Sequence, residues 1–152
     1  MKSRKFALFA VLLCFNIFIN IPNIYAQQDY NPVALEHFKR SLAYLTIGDY
    51  YNAIISCNNV IKIDPNSVVA YVIRARAYYE MNSFDWAIED CNRALRLDRN
   101  NAAAYTIRGN AYGRKGEYSR AISDWESALR INPNITEASH NIELARKQQD
   151  AQ

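Results

Sequence analysis

Residues that interrupt regular secondary structure are scarce in this sequence, which has only four glycines and four prolines among 152 residues. This scarcity excludes collagen-like chains and chains rich in loops or low-complexity segments. Half of the residues are apolar, which is ample for a hydrophobic core, and the length fits one ordinary domain better than two. We therefore expect a single domain built mostly of regular secondary structure.

An excess of charge of one sign is also missing once the N-terminus is set aside. The chain has 18 Lys and Arg against 15 Asp and Glu, but three of the bases, Lys2, Arg4 and Lys5, lie in an N-terminal stretch without acids, and 18 less 3 leaves 15. A balanced remainder lacks the basic surface of nucleic-acid-binding proteins and the charge bias of disordered tails. We predict that nucleic acid is not a partner.

The N-terminal segment, residues 1–26, has the three parts of a secretory signal peptide. A basic start is followed by an unbroken apolar run, Phe6–Phe15, and then by Pro22 and a small residue, Ala26. Cleavage after Ala26 would leave a chain that begins at Gln27. We predict an exported protein and expect the bacterial periplasm as its location, with no membrane span in the mature chain.

Two alternatives to cleavage stay open. The segment 6–21 could be kept as a membrane anchor, although it contains Asn16 and Asn20 and is shorter than the roughly 20 residues that a spanning helix needs. Cys14 could instead be lipidated, although Leu13 before it is larger than a lipidation motif favours. Both alternatives predict a membrane-anchored protein.

The rest of the chain has a 34-residue period. Ala53, Ala87 and Ala121 are related by this period, and each is followed by Ile. The same spacing relates three tyrosines and three arginines: Tyr44, Tyr78, Tyr112, Arg40, Arg74 and Arg108. Three copies in unbroken register, 34–67, 68–101 and 102–135, indicate a repeat array.

Each copy contains two helical patterns. In the third copy, apolar residues from Ala104 to Tyr112 recur at steps of three and four, Gly116 interrupts the pattern, and a second stripe runs from Ala121 to Leu129. Residues 136–149 carry one more helical stripe, and residues 27–33 form an exposed lead-in. We therefore predict an all-α solenoid of three helix-turn-helix repeats plus a C-terminal capping helix, preceded by the signal peptide.

The array resembles the tetratricopeptide repeat family, which has this period and two antiparallel helices per repeat. In the third copy, seven signature positions of the family are filled, by Tyr105, Gly109, Tyr112, Ala121, Trp125, Ala128 and Pro133. The second copy departs from the pattern with Ala75, Asn82 and Arg99 in place of Gly, Gly and Pro. Structural repeat positions are Ala53, Ala87, Ala121, Gly109, Pro65 and Pro133.

The resemblance implies a non-catalytic protein-interaction module that binds a peptide or helix of a partner in a concave groove. Carried over by repeat position, the groove residues are Phe38, Leu42, Val72, Arg76, Tyr79, Thr106, Asn110 and Arg114. It stays open whether the apolar end of the groove is covered by the N-terminal segment or by a second copy of the chain, and a homo-oligomer is possible. The alternative function is that of a small-molecule carrier or accessory subunit for an envelope transporter.

Some members of the family clamp the acidic C-terminal peptide of chaperones through Lys, Asn and Arg. At the corresponding positions this chain has Phe38, Leu42, Ile73, Ala103 and Ile107. The resemblance therefore does not extend to that clamp, and we do not expect a cytosolic chaperone adaptor.

Residues that could carry chemistry are few and scattered. Cys57 and Cys91 occupy equivalent positions of successive repeats, and packed helices lie about 8–10 Å apart, too far for the 4.4–6.8 Å or so between α-carbons that a disulfide needs. His37 and His140 lie at opposite ends of the array without metal-ligand partners at a recurring spacing. We predict no enzyme activity, no metal and no cofactor.

One pair of charges recurs with the repeat. Arg74 precedes Asp90 by the same interval that separates Arg108 from Asp124. This spacing joins the two helices of one repeat and predicts an ion pair in each of the second and third copies.

Overall fold

The structure is a computed structural model that describes residues 31–150. The predictions for the signal peptide, for Cys14 and for residues 27–30 of the lead-in lie outside this range. Residues 31–150 form seven α-helices and no strand: α1 Pro32–Thr46, α2 Tyr50–Ile63, α3 Val68–Glu80, α4 Phe84–Leu97, α5 Ala102–Arg114, α6 Tyr118–Ile131 and α7 Thr136–Asp150. The predicted all-α helical solenoid is confirmed.

Three helices, α1, α2 and α5, begin at a side-chain cap that fits the sequence. Asn31 Oδ1 accepts a hydrogen bond from the Val33 amide (2.9 Å), and Asn101 Oδ1 accepts one from the Ala104 amide (3.0 Å). Pro32 stands at the first position of α1, where its missing N–H has no helical partner to lose. Because Asn31 caps the helix, Pro32 and Val33 are the first residues of α1 rather than part of the lead-in.

The turn inside each repeat requires a left-handed residue at the same position. Gly48 and Gly116 both have φ 78°, and Asn82, at the equivalent place in the second repeat, has φ 58°. Asn is one of the few non-glycine residues that visit this region readily. The second repeat therefore keeps the same turn although it lacks the glycine.

The packing order gives the array its curvature. Each helix packs against the next along the chain, and the first helices also contact one another, α1 with α3 and α3 with α5. Among the described helices, successive second helices make no contact of comparable extent. The first helices therefore line the inner, concave side, as stacked repeats of this kind do.

Small side chains allow the close approach of the helices. Ala53, Ala87 and Ala121 are completely buried, one in each second helix. The last helix, α7, buries Ala138, Ile142 and Ala145 against the end of the array, and its outer face is polar apart from Leu144. It closes the last repeat as a terminal cap must. No helix within residues 31–150 is long and apolar enough to cross a membrane.

Candidate functional site

The concave face displays most of the side chains that the sequence assigned to a groove. Arg76 on α3 and Arg114 at the end of α5 are exposed. Four others are partly exposed: Phe38 and Leu42 on α1, Tyr79 on α3 and Thr106 on α5. These six side chains share the inner side of the first helices, and together they are named the groove surface.

Val72 belongs to the core instead. It is 7% exposed and packs in a cluster with Tyr71, Ala75 and Ile107, which joins the second repeat to the third. The side chain is covered because the following first helix lies directly against it. Val72 therefore supports the floor of the groove without being accessible to a partner.

Asn110 is also buried, because it serves an internal hydrogen-bond network. Its Oδ1 accepts hydrogen bonds from Trp125 Nε1 (2.7 Å) and from Asn141 Nδ2 (3.3 Å), and its Nδ2 donates to Glu137 Oε1 (3.3 Å). These partners lie on α6 and α7, so Asn110 ties the last repeat to the capping helix. A buried indole N–H needs such an acceptor.

The groove surface changes from apolar to polar along the array. On α1 its partly exposed lining is aliphatic and aromatic, with Leu35 and Leu45 beside Phe38 and Leu42. On α3 and α5 it becomes polar, with Arg76, Tyr79, Thr106 and Arg114. One end can bury apolar side chains of a ligand, and the other can donate hydrogen bonds to it.

The two arginines of the groove surface are held differently. Arg76 Nε donates to Glu80 Oε1 (2.5 Å), and both side chains remain substantially exposed. Such an exposed pair contributes only about 0–1 kcal/mol, so a ligand carboxylate could replace Glu80 at little cost. Arg114 donates from Nη2 to Asn82 Oδ1 (2.9 Å) and lies over the Phe84 ring at 5.1 Å, which fixes it more firmly.

The predicted ion pairs within repeats are confirmed, and each is bidentate. Arg74 donates from Nε and Nη2 to the two carboxylate oxygens of Asp90 (2.7 and 2.6 Å), while Nη1 donates to Asn58 Oδ1 (2.6 Å). Burial raises the pKa of Asp90, and the hydrogen bonds from Arg74 act in the opposite direction. A planar guanidinium suits this forked arrangement.

The same arrangement recurs one repeat later. Arg108 binds Asp124 through Nε and Nη2 (2.8 and 2.7 Å) and Asn92 through Nη1 (2.6 Å), and hydrogen bonding to Asp124 raises the pKa of Arg108. Asn92 lies on the second helix of the preceding repeat, so each arginine links two repeats. The asparagines were not among the residues predicted from the sequence, although Asn58 and Asn92 are themselves one repeat period apart. These links hold the curvature of the groove.

The thiols are unsuited to chemistry. Cys57 and Cys91 are free and completely buried. Burial raises the pKa of Cys57 to about 12, and it raises the pKa of Cys91 as well. Because the thiolate is the nucleophile, both side chains behave at neutral pH as small apolar residues.

Two surface depressions lie near the ends of the array. One of about 370 Å³ is lined by Pro32, Glu36, His37 and Arg40, and another of about 270 Å³ lies between the turn at Gly116 and α7. Both are open to solvent. Within residues 31–150 no three His, Cys, Asp or Glu side chains are grouped as metal ligands would be.

Comparisons with protein-family models match each repeat separately. Models described as tetratricopeptide repeat match residues 37–67 and 102–135, and a model described as TPR repeat matches residues 75–116. The comparison with curated proteins found no match.

Solved structures similar to this one include several TPR domains. The first such domain of Spaghetti (RPAP3), bound to the HSP90 peptide SRMEEVD, is 32% identical with a TM-score of 0.72, over 78% of this chain and 91% of that one. The first domain of human RPAP3 is 29% identical with a TM-score of 0.75, over 78% and 94%. The TPR2B domain of yeast Sti1, in a complex with pHsp70, is 27% identical with a TM-score of 0.70, over 80% and 100%.

Proposed function

The chain belongs to the tetratricopeptide repeat family, and from that premise we propose that its groove surface binds an extended peptide or a helix of a partner protein. The observation that carries the proposal is the accessible inner face itself. It combines partly exposed apolar residues on α1 with Arg76. Because the ion pair of Arg76 with Glu80 is exposed and weak, the N–H groups of Arg76 can bind a ligand instead. The solved domain of Spaghetti is bound to an HSP90 peptide, which supports a peptide as the ligand class.

The anchoring chemistry should differ from that of a carboxylate clamp. Ile73 and Ile107 stand at two of the clamp positions, and they are 3% and 6% exposed, so they can neither reach nor bind a carboxylate. Phe38 and Leu42 replace polar donors at two more. We therefore expect affinity to come mainly from apolar side chains of the ligand buried against α1, with Arg76 and Tyr79 setting its orientation.

A scaffold role without catalysis follows from the same surface. The side chains of the groove bind and orient, and the buried thiols keep their protons at neutral pH. The six side chains of the groove surface are spread over three helices and are exposed or partly exposed, which favours an extended ligand over an enclosed small molecule. On the strength of the N-terminal sequence pattern, we propose that this scaffold acts in the bacterial envelope after export.

The test is affinity capture of the full chain from its own host through a C-terminal tag. The wild type is compared with Arg76→Ala/Tyr79→Ala in the groove and with Arg96→Ala/Trp86→Ala on the exposed side of α4, a matched removal of one arginine and one aromatic ring. We expect a captured protein that is lost only with the groove variant, while circular dichroism shows that all three proteins are folded. Equal capture by the two double variants would contradict the groove assignment.

The tagged protein itself tests the location. N-terminal sequencing that begins at Gln27 in an envelope fraction would support cleavage and export. A start at Met1 in the membrane fraction would favour the anchor, and a lipid-modified Cys14 at the N-terminus would favour lipidation.

A further inference from the structure

The two arginines of the groove surface differ in whether an acid accompanies them. Arg76 is paired with Glu80 on the same helix. Arg114 is exposed at the end of α5 and forms no ion pair with a carboxylate within residues 31–150. Within the described part of the chain, the positive charge of Arg114 is therefore not neutralised by a direct contact.

Two neighbours from the second repeat nevertheless hold Arg114 in place. Its Nη2 donates a hydrogen bond to Asn82 Oδ1 (2.9 Å), and its guanidinium carbon lies 5.1 Å from the centroid of the Phe84 ring. The Phe84 ring packs in turn against Tyr79 of the groove surface, with 5.8 Å between the ring centroids. Both contacts of Arg114 are with uncharged groups, so they order the side chain without cancelling its charge. A side chain that is already ordered loses less conformational entropy when a ligand binds.

Most of the hydrogen-bonding capacity of Arg114 is available to a ligand. A guanidinium has five N–H donors, and its one hydrogen bond within residues 31–150 is the bond to Asn82. Stacking on Phe84 occupies a face of the guanidinium and leaves the donors at its edge. A planar, charged fork of this kind matches the two oxygens of a carboxylate.

The first and second repeats lack this arrangement. Thr46 and Glu80 occupy the repeat position of Arg114. Gly48 stands at the turn position of Asn82 in the first repeat and has no side chain that could accept a hydrogen bond. The fold therefore does not require an arginine at this position, and Arg114 lies at the end of the groove surface opposite to the apolar residues of α1.

We propose that Arg114 binds a carboxylate of the partner segment, so that the groove selects segments with an acid at a set distance from their apolar residues. The inference rests on the proposed function, because the same segment must cover both α1 and α5. Packed helices lie about 8–10 Å apart, so the two steps from α1 to α5 span about 16–20 Å. An extended chain, at about 3.3 Å per residue, covers this distance in about five or six residues.

Arg76 provides the matched comparison. A ligand carboxylate at Arg76 competes with Glu80, which lies four residues further along the same helix and is already bound. At Arg114 no carboxylate of the described residues has to be displaced. The acid preference of the groove should therefore depend on Arg114 and not on Arg76.

Selection from random peptide libraries tests the inference. The probe is a pair of phage-displayed libraries, one with free N-termini and one with free C-termini, panned against the full chain immobilised through its C-terminal tag. We expect enriched peptides to combine apolar residues with an acid about five or six residues away. Arg114→Gln should keep the apolar preference and lose the acid, Arg114→Glu should select Lys or Arg in its place, and Arg76→Gln should retain the acid.

A selected peptide then gives the size of the effect by isothermal titration calorimetry. Arg114→Gln should bind the peptide about tenfold more weakly than the wild type, because a charged hydrogen-bonded contact is lost. Against a peptide whose acid is replaced by the corresponding amide, the wild type and Arg114→Gln should bind equally. This second comparison separates a direct contact from a change in the structure of the groove, and circular dichroism checks that each variant is folded.

The outcomes distinguish the inference from the proposed function. Apolar peptides enriched without an acid, or an acid preference that survives in Arg114→Gln, would overturn the inference and leave the groove as a peptide site. A selection that yields no peptide, or peptides that bind a folded Phe38→Asp/Leu42→Asp variant equally well, would overturn both. An acid within the peptides of both libraries identifies an Asp or Glu side chain as the group bound by Arg114, whereas a preference confined to free C-termini identifies the terminal carboxylate, and either supports the inference.

Discussion

The second and third repeats build the same helix pair with different volumes at its closest contact. In the second repeat, Ala75 on α3 and Cys91 on α4 are both completely buried. In the third, Gly109 and Trp125 occupy the equivalent positions, and a Cβ at Gly109 would lie 2.8 Å from both Cδ1 and Nε1 of the indole. The third repeat has the smaller residue on its first helix and the larger residue on its second, yet its helix bounds lie one repeat period from those of the second repeat. The contact therefore constrains the summed volume of the two side chains rather than the volume of either one.

The exchange of Cys91 for Trp125 between the repeats also alters which side chains are accessible in the groove. Arg76 and Asn110 occupy the same repeat position, yet Arg76 is exposed in the groove and Asn110 is buried. The difference follows from Trp125, whose indole N–H needs an acceptor and obtains it from Asn110 Oδ1 at 2.7 Å. The second repeat has Cys91 at the place of Trp125, so no indole N–H there needs an acceptor. The second repeat is therefore the better candidate for ligand contacts.

Trp125→Cys, which gives the third repeat the residue of the second, should have the largest effect on stability. It opens a cavity beside Gly109 and Gly113 and leaves Asn110 Oδ1 without its indole donor. We expect a loss of about 3 kcal/mol in the free energy of unfolding, measured by urea denaturation. Cys91→Ala, the matched small reduction in the second repeat, should lose about 1 kcal/mol. Equal losses would contradict the different packing of the two repeats.

The next effect tests a contact in which the two repeats agree. Asp124→Asn and Asp90→Asn each leave a largely buried arginine with an amide in place of a bidentate carboxylate. We expect losses of about 2 kcal/mol in the free energy of unfolding, the usual size for hydrogen bonds to a charged group, and equal within error between the repeats. Glu36→Gln, which alters the exposed pair with Arg40, is the control and should change stability by less than about 0.5 kcal/mol. A loss at Asp124 as small as that of the control would contradict a structural role for the pair.

The sequence predicts those features that depend on spacing alone. The 34-residue period predicts the repeated helix pairs, because repeat register fixes where each helix recurs. The interval of 16 residues predicts the bonds from Arg74 to Asp90 and from Arg108 to Asp124, because helix geometry places the two positions opposite each other. The third partner of each arginine was also predictable in principle, since Asn58 precedes Arg74 by the same interval.

Burial in the groove could not be predicted from spacing. Val72 and Asn110 share repeat positions with accessible residues, and what buries them is the side-chain volume of their neighbours. Repeat position gives the direction of a side chain from the helix axis, whereas its exposure depends on what the next helix places above it. The structure is therefore needed to tell which predicted groove residues are accessible and which belong to the core.

The effect of Gly109→Ala on stability should change sign when Trp125 is replaced. In the wild type, Gly109→Ala forces the new methyl group into the indole and should lower the free energy of unfolding by about 1–2 kcal/mol. In the Trp125→Cys background the indole is absent, so the same substitution should raise stability by up to about 1 kcal/mol through helix propensity. The four proteins form a double-mutant cycle in urea denaturation. Effects of the same sign in both backgrounds would show that Trp125 does not set the requirement for glycine.

Substitutions in the turn of the second repeat should have the smallest effect on stability. Asn82 holds the left-handed position that Gly48 and Gly116 hold elsewhere, and its Oδ1 also accepts the hydrogen bond from Arg114. Asn82→Gly relieves the backbone but removes that bond, so we expect a net change within about 0.5 kcal/mol in urea denaturation. Asn82→Ala removes the bond and keeps a Cβ in the left-handed region, so it should be about 1 kcal/mol less stable than Asn82→Gly. If the two variants were equally stable, the bond to Arg114 rather than the backbone would account for asparagine in the second repeat.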